Sequence, residues 1–259
     1  MRIAVCIKQV PAASEGRTDM ERGFVMRGGR RRLNPYDGPA VEAALELRAR
    51  FGGRVDVFSM GPASAAEVVS EALSMGADEG YLLTDKVFAG ADSLVTAFTL
   101  AEGLRSQGAY DLYIVGQKTT DGDTGQVGPS LAAIMELPFV GRVEKFENLN
   151  EDGLFVLHST DHERQLVRVK GPVFVSVVRE MFPPRIPSLK MKMKKKNVHE
   201  INFAAFEGWE ASHLGSLGSP TKIKRVYFPE RPSVSGVRQV NGEEAADLLL
   251  TALRGAHGE

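Results

Sequence analysis

The chain carries a single cysteine, Cys6, among its 259 residues. A lone thiol excludes a disulfide framework and a zinc site built on clustered cysteines, and it suits a reducing compartment. Apolar runs are short: none approaches the roughly 18 residues that would suggest a membrane span. The first residues, M-R-I-A-V-C-I, read directly as a strand, so no secretory leader is expected. Charge of one sign is also missing. With 32 Lys and Arg against 33 Asp and Glu the net charge is −1, which argues against a broad nucleic-acid surface. The histidines, His158, His162, His199, His213 and His257, show no ligand-like spacing beyond H-S-T-D-H on a predicted hairpin, so no metal centre is expected. No nucleophile–base pair or carboxylate dyad stands out. A cytoplasmic protein that does not span a membrane is the expectation.

Glycine is what the chain has in quantity, and its placement is informative. The run from Tyr110 to Pro129 reads Y-D-L-Y-I-V-G-Q-K-T-T-D-G-D-T-G-Q-V-G-P. An apolar strand ends at Gly116, a loop rich in Gly, Thr and Asp follows, and a helix starts near Gln126. Backbone N–H groups and the positive helix end then converge on one point, which is an anion site. Glycine lets the chain approach a phosphate closely, and threonine hydroxyls add donors. The run suggests a nucleotide without saying which. Taken alone, Asp121 and Asp123 would read as ordinary turn formers.

Strands and helices alternate up to about Pro138. Strands are predicted at Ile3–Ile7, Val55–Met60, Glu79–Leu83 and Leu112–Val115, and helices at Pro39–Arg50, Ala63–Met75 and Ala91–Gln107. Glycines at 52–53, 76 and 108 close the helices. Between the first strand and first helix, G-F-V-M-R-G-G-R-R-R-L reads as a small hairpin or irregular loop. The alternation predicts an α/β fold, a doubly wound and mostly parallel sheet of the Rossmann-like type, with its ligand at the carboxyl edge. After Pro138, strand-like segments at Val140–Phe146, Leu154–Thr160 and Gln165–Val169 predict an antiparallel addition, and Val173–Val178 a strand returning to the core. Beyond Met181 the pattern weakens into prolines, K-M-K-M-K-K-K and S-H-L-G-S-L-G-S-P, until Gly242–Arg254 regains helical periodicity. We therefore expect a nucleotide-binding domain over 1–182 and an extension over 183–259 that packs on a partner.

Seven ordered stretches make the chain similar to the beta subunit of electron-transfer flavoproteins across essentially its full length. They are V-C-I-K-Q-V-P (5–11), L-N-P-Y-D (33–37), S-M-G-P (59–62), A-L-S-M-G-A-D-E (72–79), F-A-G-A-D-S-L-V-T (88–96), the D-G-D-T-G-Q-V-G-P loop, and P-R-I-P-S-L-K-M-K-M-K-K-K (184–196). The resemblance implies a heterodimer with an alpha subunit that holds its own FAD, and a nucleotide in the beta subunit. In one branch that nucleotide is a structural AMP. In the electron-bifurcating branch it is a second FAD, reduced by NADH, whose electron pair divides between a low-potential ferredoxin or flavodoxin and the alpha flavin. Asp37 after N-P-Y, Gly122 in the loop, and A-G-A-D-S resemble the FAD-holding branch, so FAD is favoured over AMP.

The resemblance implies that the cofactor pocket draws on Cys6, Lys8 and Val10 after the first strand, and on Asn34, Tyr36 and Asp37 ahead of the first helix. Met60 and Gly61 follow the second strand, and Gly90, Ala91, Asp92, Ser93 and Thr96 the third, where small residues would make room for a flavin ring. Gly116, Asp121, Gly122, Asp123, Thr124, Gly125, Gln126 and Val127 complete it. Cys6, mid-strand among apolar residues, reads as a small core side chain rather than a reactive thiol. Leu189, in an extended exposed loop, is implied to anchor an acyl-CoA-type dehydrogenase, with Lys192, Lys194, Lys195 and Lys196 steering it. The reading from another class is an adenine-nucleotide-binding regulatory domain with no redox role. The long tail after residue 182 speaks against it, since a self-contained sensor has no use for one.

Overall fold

The structure, a computed structural model, describes residues 1–12, 17–19, 24–26, 30–194, 196–222 and 239–256. Strand β1 (Arg2–Cys6) is followed by β2 (Gln9–Pro11), β3 (Arg17–Asp19), β4 (Phe24–Met26) and β5 (Arg31–Leu33). Helix α1 (Asp37–Phe51), β6 (Arg54–Met60), α2 (Ala66–Met75), β7 (Glu79–Leu83), α3 (Ser93–Ser106), β8 (Leu112–Gly116) and α4 (Val127–Ile134) continue the alternation. Then come β9 (Phe139–Asn150), β10 (Gly153–Ser159), β11 (Arg164–Val169), β12 (Val173–Val177), α5 (Leu189–Met193), β13 (Val198–Ile201), α6 (Gly215–Gly218) and α7 (Gly242–Ala256).

Among the described residues nine strands form one sheet in the order β11-β10-β9-β12-β8-β1-β6-β7-β13. Pairing is parallel from β9 through β12, β8, β1, β6 and β7 to β13, and antiparallel across β9, β10 and β11. This is the expected doubly wound, mostly parallel fold with an antiparallel addition. The continuous apolar run of β1 follows from burial on both faces. Ile3 and Val5 pack with α1 and α2 on one side, and Ala4 and Cys6 with α3 and α4 on the other.

The chain divides into two compact units, Met1–Lys224 and Arg225–Glu259; α7 is the described part of the second. Residue 182, where the nucleotide-binding domain was expected to end, therefore falls inside the first unit. Its later segments contribute to that core: β13 extends the parallel sheet beside β7, and Phe206 and Leu214 are buried. The four residues V-H-E-I of β13 escaped the sequence reading because an edge strand exposes its polar middle and shows no apolar run. Part of the stretch expected as a hairpin or irregular loop, Gly23 and residues 27–29, lies outside the described residues. Within it, β5 pairs with β2, and β4 with β3.

Candidate functional site

From β1 the chain builds outward on one side through β6 and β7, then returns to place β8 on the other side of β1. The helix after β1 covers one face and the helix after β8 the opposite face. The loops leaving β1 and β8 therefore part at the carboxyl edge, and such a switch point opens the crevice in which doubly wound sheets bind ligands.

Two buried polar side chains, Asn34 and Asp37, hold those loops together. Asp37 Oδ2 accepts the Lys8 backbone N–H at 2.7 Å and Oδ1 accepts Asn34 Nδ2 at 2.8 Å. Asn34 Nδ2 also donates to the Lys118 carbonyl at 2.9 Å, and Asn34 Oδ1 accepts the Thr120 N–H at 3.3 Å. One Asn–Asp pair thus ties the exit of β1, the start of α1 and the loop after β8. Gly116 lies against it: a Cβ there would overlap Asp37 Oδ1 and approach the Tyr36 carbonyl oxygen to 2.8 Å. Burial pushes the Asp37 carboxyl up to about 7, against the hydrogen bonds from Asn34 and Lys8. Burial first, and then the charge of Asp37, push the Cys6 thiol up to about 12, so Cys6 is a core side chain and not a thiolate nucleophile.

Thr120 to Gln126 are exposed at the crevice. Lys8 Nζ pairs with Asp121 at 2.8 Å and Lys118 Nζ with Asp123 at 2.9 Å, so two lysines are brought to the loop. Partial burial raises the Asp121 pKa, but the Lys8 ammonium outweighs it and holds the carboxyl below its ordinary value. Gly125 has φ 62°, a backbone conformation that favours glycine. A Cβ on Gly122 would meet nothing closer than Thr119 Oγ1 at 3.6 Å, so the space beside Gly122 is not taken by protein. Helix α4 begins at Val127, and its N-cap residue Gln126 makes no side-chain bond to the free N–H groups. An uncapped helix start, an exposed glycine-bearing loop and two nearby lysines fit a phosphate. The start of α3 differs, because the Asp92 carboxylate already accepts its Val95 N–H at 3.0 Å.

The remaining pocket candidates lie on the same edge. Val10 is buried in β2, Met60 ends β6 and Gly61 follows it, and Gly90 to Ser93 lead from β7 into α3, with Thr96 in its first turn. Gly90 has φ 73° and, like Ala91, offers little side-chain bulk. The hydrogen bonds of this third loop run to residues 216–221 and not to the loop after β8. Lys118, Ser219 and Thr221 are contacts that the sequence reading missed. Lys118 lay in plain view in the loop, whereas the other two are far along the chain and give no local signal. A depression of about 450 Å³ opens at the opposite edge, between Asp111 and Leu112 at the start of β8 and Val169 and Val173. It lies a strand length from Gly116, where the loops of the candidate site emerge.

Leu189 is exposed, as expected, with 74% of its surface free, and so are Ile186 and Met193. The local conformation differs from expectation: Leu189–Met193 form one helical turn, α5, because Ser188 Oγ caps the Met191 N–H at 3.2 Å. Lys192 and Lys194 are exposed on this segment, while Lys195 lies outside the described residues. Arg185 fixes the approach through Glu42, with Nη2–Oε1 at 2.6 Å and Nε–Oε2 at 2.8 Å. Among the described residues there is no group of three or more metal-ligating side chains, and no helix long and apolar enough to cross a membrane.

Fold and switch-point loops define a doubly wound α/β protein with its candidate crevice at the β1/β8 boundary. The family described as "Electron transfer flavoprotein domain" matches residues 23–206. The chain is 37% identical to an electron transfer flavoprotein subunit beta from Thermoanaerobacterium thermosaccharolyticum, over 99% of each chain. It is 38% identical to the subunit of that name from Clostridium acetobutylicum, again over 99% of both. It is 35% identical to the caffeyl-CoA reductase-Etf complex subunit CarD of Acetobacterium woodii, over 99% of both. The chain belongs to the electron transfer flavoprotein family and takes its place among the beta subunits.

Proposed function

We propose that this beta subunit holds FAD rather than AMP, and serves a bifurcating electron carrier that joins NADH, a low-potential ferredoxin or flavodoxin, and an acyl-CoA-type dehydrogenase. The observation that carries the reading is the meeting of two kinds of loop at one carboxyl edge. The loop from Gly116 to Gln126, with the open start of α4, suits a phosphate, and the neighbouring loop that carries the small residues Gly90 and Ala91 leaves β7 at the same edge, where we seat the ring. Asp37 after N-P-Y and Gly122 in the loop point the same way. The name of the Acetobacterium relative places that protein in a complex with a CoA-ester reductase, which favours an acyl-CoA-type partner here. When bound, the flavin supplies the one- and two-electron chemistry. The chain's own part is to bind and orient it: Lys8 and Lys118 bring positive charge to the phosphates, and the Asn34–Asp37 pair fixes the loops.

The test is the nucleotide released from the chain purified with its alpha subunit. Two FAD per heterodimer, with both flavin equivalents bleached by NADH, is the expected result. One FAD and one AMP would replace the bifurcating reading with a structural-nucleotide subunit, and no flavin would favour a regulatory nucleotide-binding domain.

A further inference from the structure

The loop that leads from β7 into α3 is tied by hydrogen bonds to residues 216–221. Its Asp92 N–H donates to Ser219 Oγ at 2.9 Å, and the Ser219 hydroxyl in turn donates to the Gly215 carbonyl at 2.6 Å. Asp92 Oδ2 accepts the Thr221 N–H at 3.0 Å, while Oδ1 caps α3. The Ser216 N–H donates to the Ala89 carbonyl at 2.9 Å. Gly90 sits under Ser216, its missing Cβ position 3.0 Å from Ser216 Cβ. Ser219 is only 4% exposed, so its hydroxyl makes both bonds away from water. A buried donor or acceptor left unpaired is costly, so this contact fixes where Ala89 to Asp92 lie. The Asp92 carboxyl reflects the same bonds. Burial raises its pKa, but the N–H groups of Val95 and Thr221 outweigh burial and hold it below the ordinary value.

We infer that Ser219 is a positioning residue for flavin: with Asp92 and Thr221 it holds the Gly90–Ala91 loop clear of the space a flavin ring needs. Its hydroxyl bonds to Asp92 and Gly215 and not to a residue of the phosphate loop. The phosphate loop hangs on a separate set of contacts, Asn34, Asp37 and Lys8. The chain therefore sets phosphate affinity and flavin selection with different residues. The inference rests on the proposal that this loop borders the ring.

The experiment uses the full chain co-purified with its alpha subunit, stripped of the beta-site nucleotide and titrated separately with FAD and with AMP. Two variants cut the contact from opposite sides. Ser219→Ala removes the double hydrogen bond. Asp92→Asn keeps an oxygen to cap α3, since Asn caps about as well as Asp, but presents an NH2 to the Thr221 N–H. Each is expected to weaken FAD about tenfold and AMP by less than about twofold. A purely structural role would weaken both nucleotides equally, and equal loss in both variants overturns the inference, as does unchanged FAD affinity. If Ser219→Ala does not fold, Asp92→Asn still decides. A wild-type complex that takes AMP but no FAD at this site would instead sink the underlying flavin proposal, an outcome visible before any variant is made.

Discussion

Gly122 shows what a single residue contributes to the proposed site. It is exposed, and a Cβ there would make only ordinary contact with Thr119 Oγ1 at 3.6 Å, so the chain itself tolerates a side chain that the proposed phosphate would not. Gly122→Val is expected to leave the thermal unfolding midpoint within a few degrees of wild type and to abolish nucleotide retention. Stoichiometric nucleotide in that variant would move the phosphate elsewhere. Asp37 gives a pH signature. Its carboxyl sits at about 7 when folded against 3.8 ordinarily, so between those values the folded chain keeps a proton that the unfolded chain has lost. That contribution is fully present below about pH 4 and is lost as pH rises through 7. Denaturant unfolding of wild type and Asp37→Asn at pH 5 and pH 8 should show the wild type losing ground by on the order of 2–3 kcal/mol over the interval. A pH-independent difference between the two would mean that Asp37 is ionised throughout. In the sequence Asp37 and Asn34 were visible only as part of L-N-P-Y-D. That they bridge two distant loops depends on β1 and β8 being neighbours, which no local pattern encodes.

At the scale of elements, legibility followed burial. Strands covered on both faces, such as β1, β8 and β12, are unbroken apolar runs in the sequence, and helices ended by Gly52, Gly76 and Gly108 carry their stops in view. Elements made by capping or by an edge position were harder: α5 exists because Ser188 caps it, and β13 because β7 offers an open edge. For α5 the consequence bears on its proposed docking role. Arg185 grips the buried Glu42, and the Lys196 ammonium donates to the Leu73 carbonyl at 3.4 Å, so both ends of the turn are tied to the body and Leu189 is presented on a fixed platform. Burial raises the Glu42 pKa, yet the Arg185 hydrogen bonds outweigh it and keep the carboxylate charged. Leu189→Ala should lower affinity for a partner dehydrogenase about thirtyfold, the effect of losing an anchor worth about 2 kcal/mol, with flavin content and spectrum unchanged. Reversing charge at Lys192 and Lys194 should instead slow association, and only at low salt. Steady-state transfer at two ionic strengths separates these effects. An unaffected rate in Leu189→Ala would leave the turn a solvated connector.

For the whole molecule, the division between Lys224 and Arg225 matters more than the sequence change after residue 182. All the contacts invoked for nucleotide binding, from Lys8 to Thr221, lie within Met1–Lys224, as do both clusters of the buried core. The second unit contributes α7, which exposes Leu248, Leu249, Leu250 and Leu253. Four exposed leucines on one helix are a cost to a chain that works alone and an asset to one that docks on another subunit. A chain ending at Lys224 should therefore fold with an unfolding midpoint near that of wild type and keep its proposed nucleotide loop intact. It should lose co-purification with the alpha subunit or hold it at least about tenfold more weakly, and with it the proposed electron transfer. Paired leucine substitutions, Leu249→Ser with Leu253→Ser, should reproduce the loss in the full-length chain, which separates a lost contact from a truncation artefact. Undiminished association of both variants with the alpha subunit would place the subunit interface on the first unit alone.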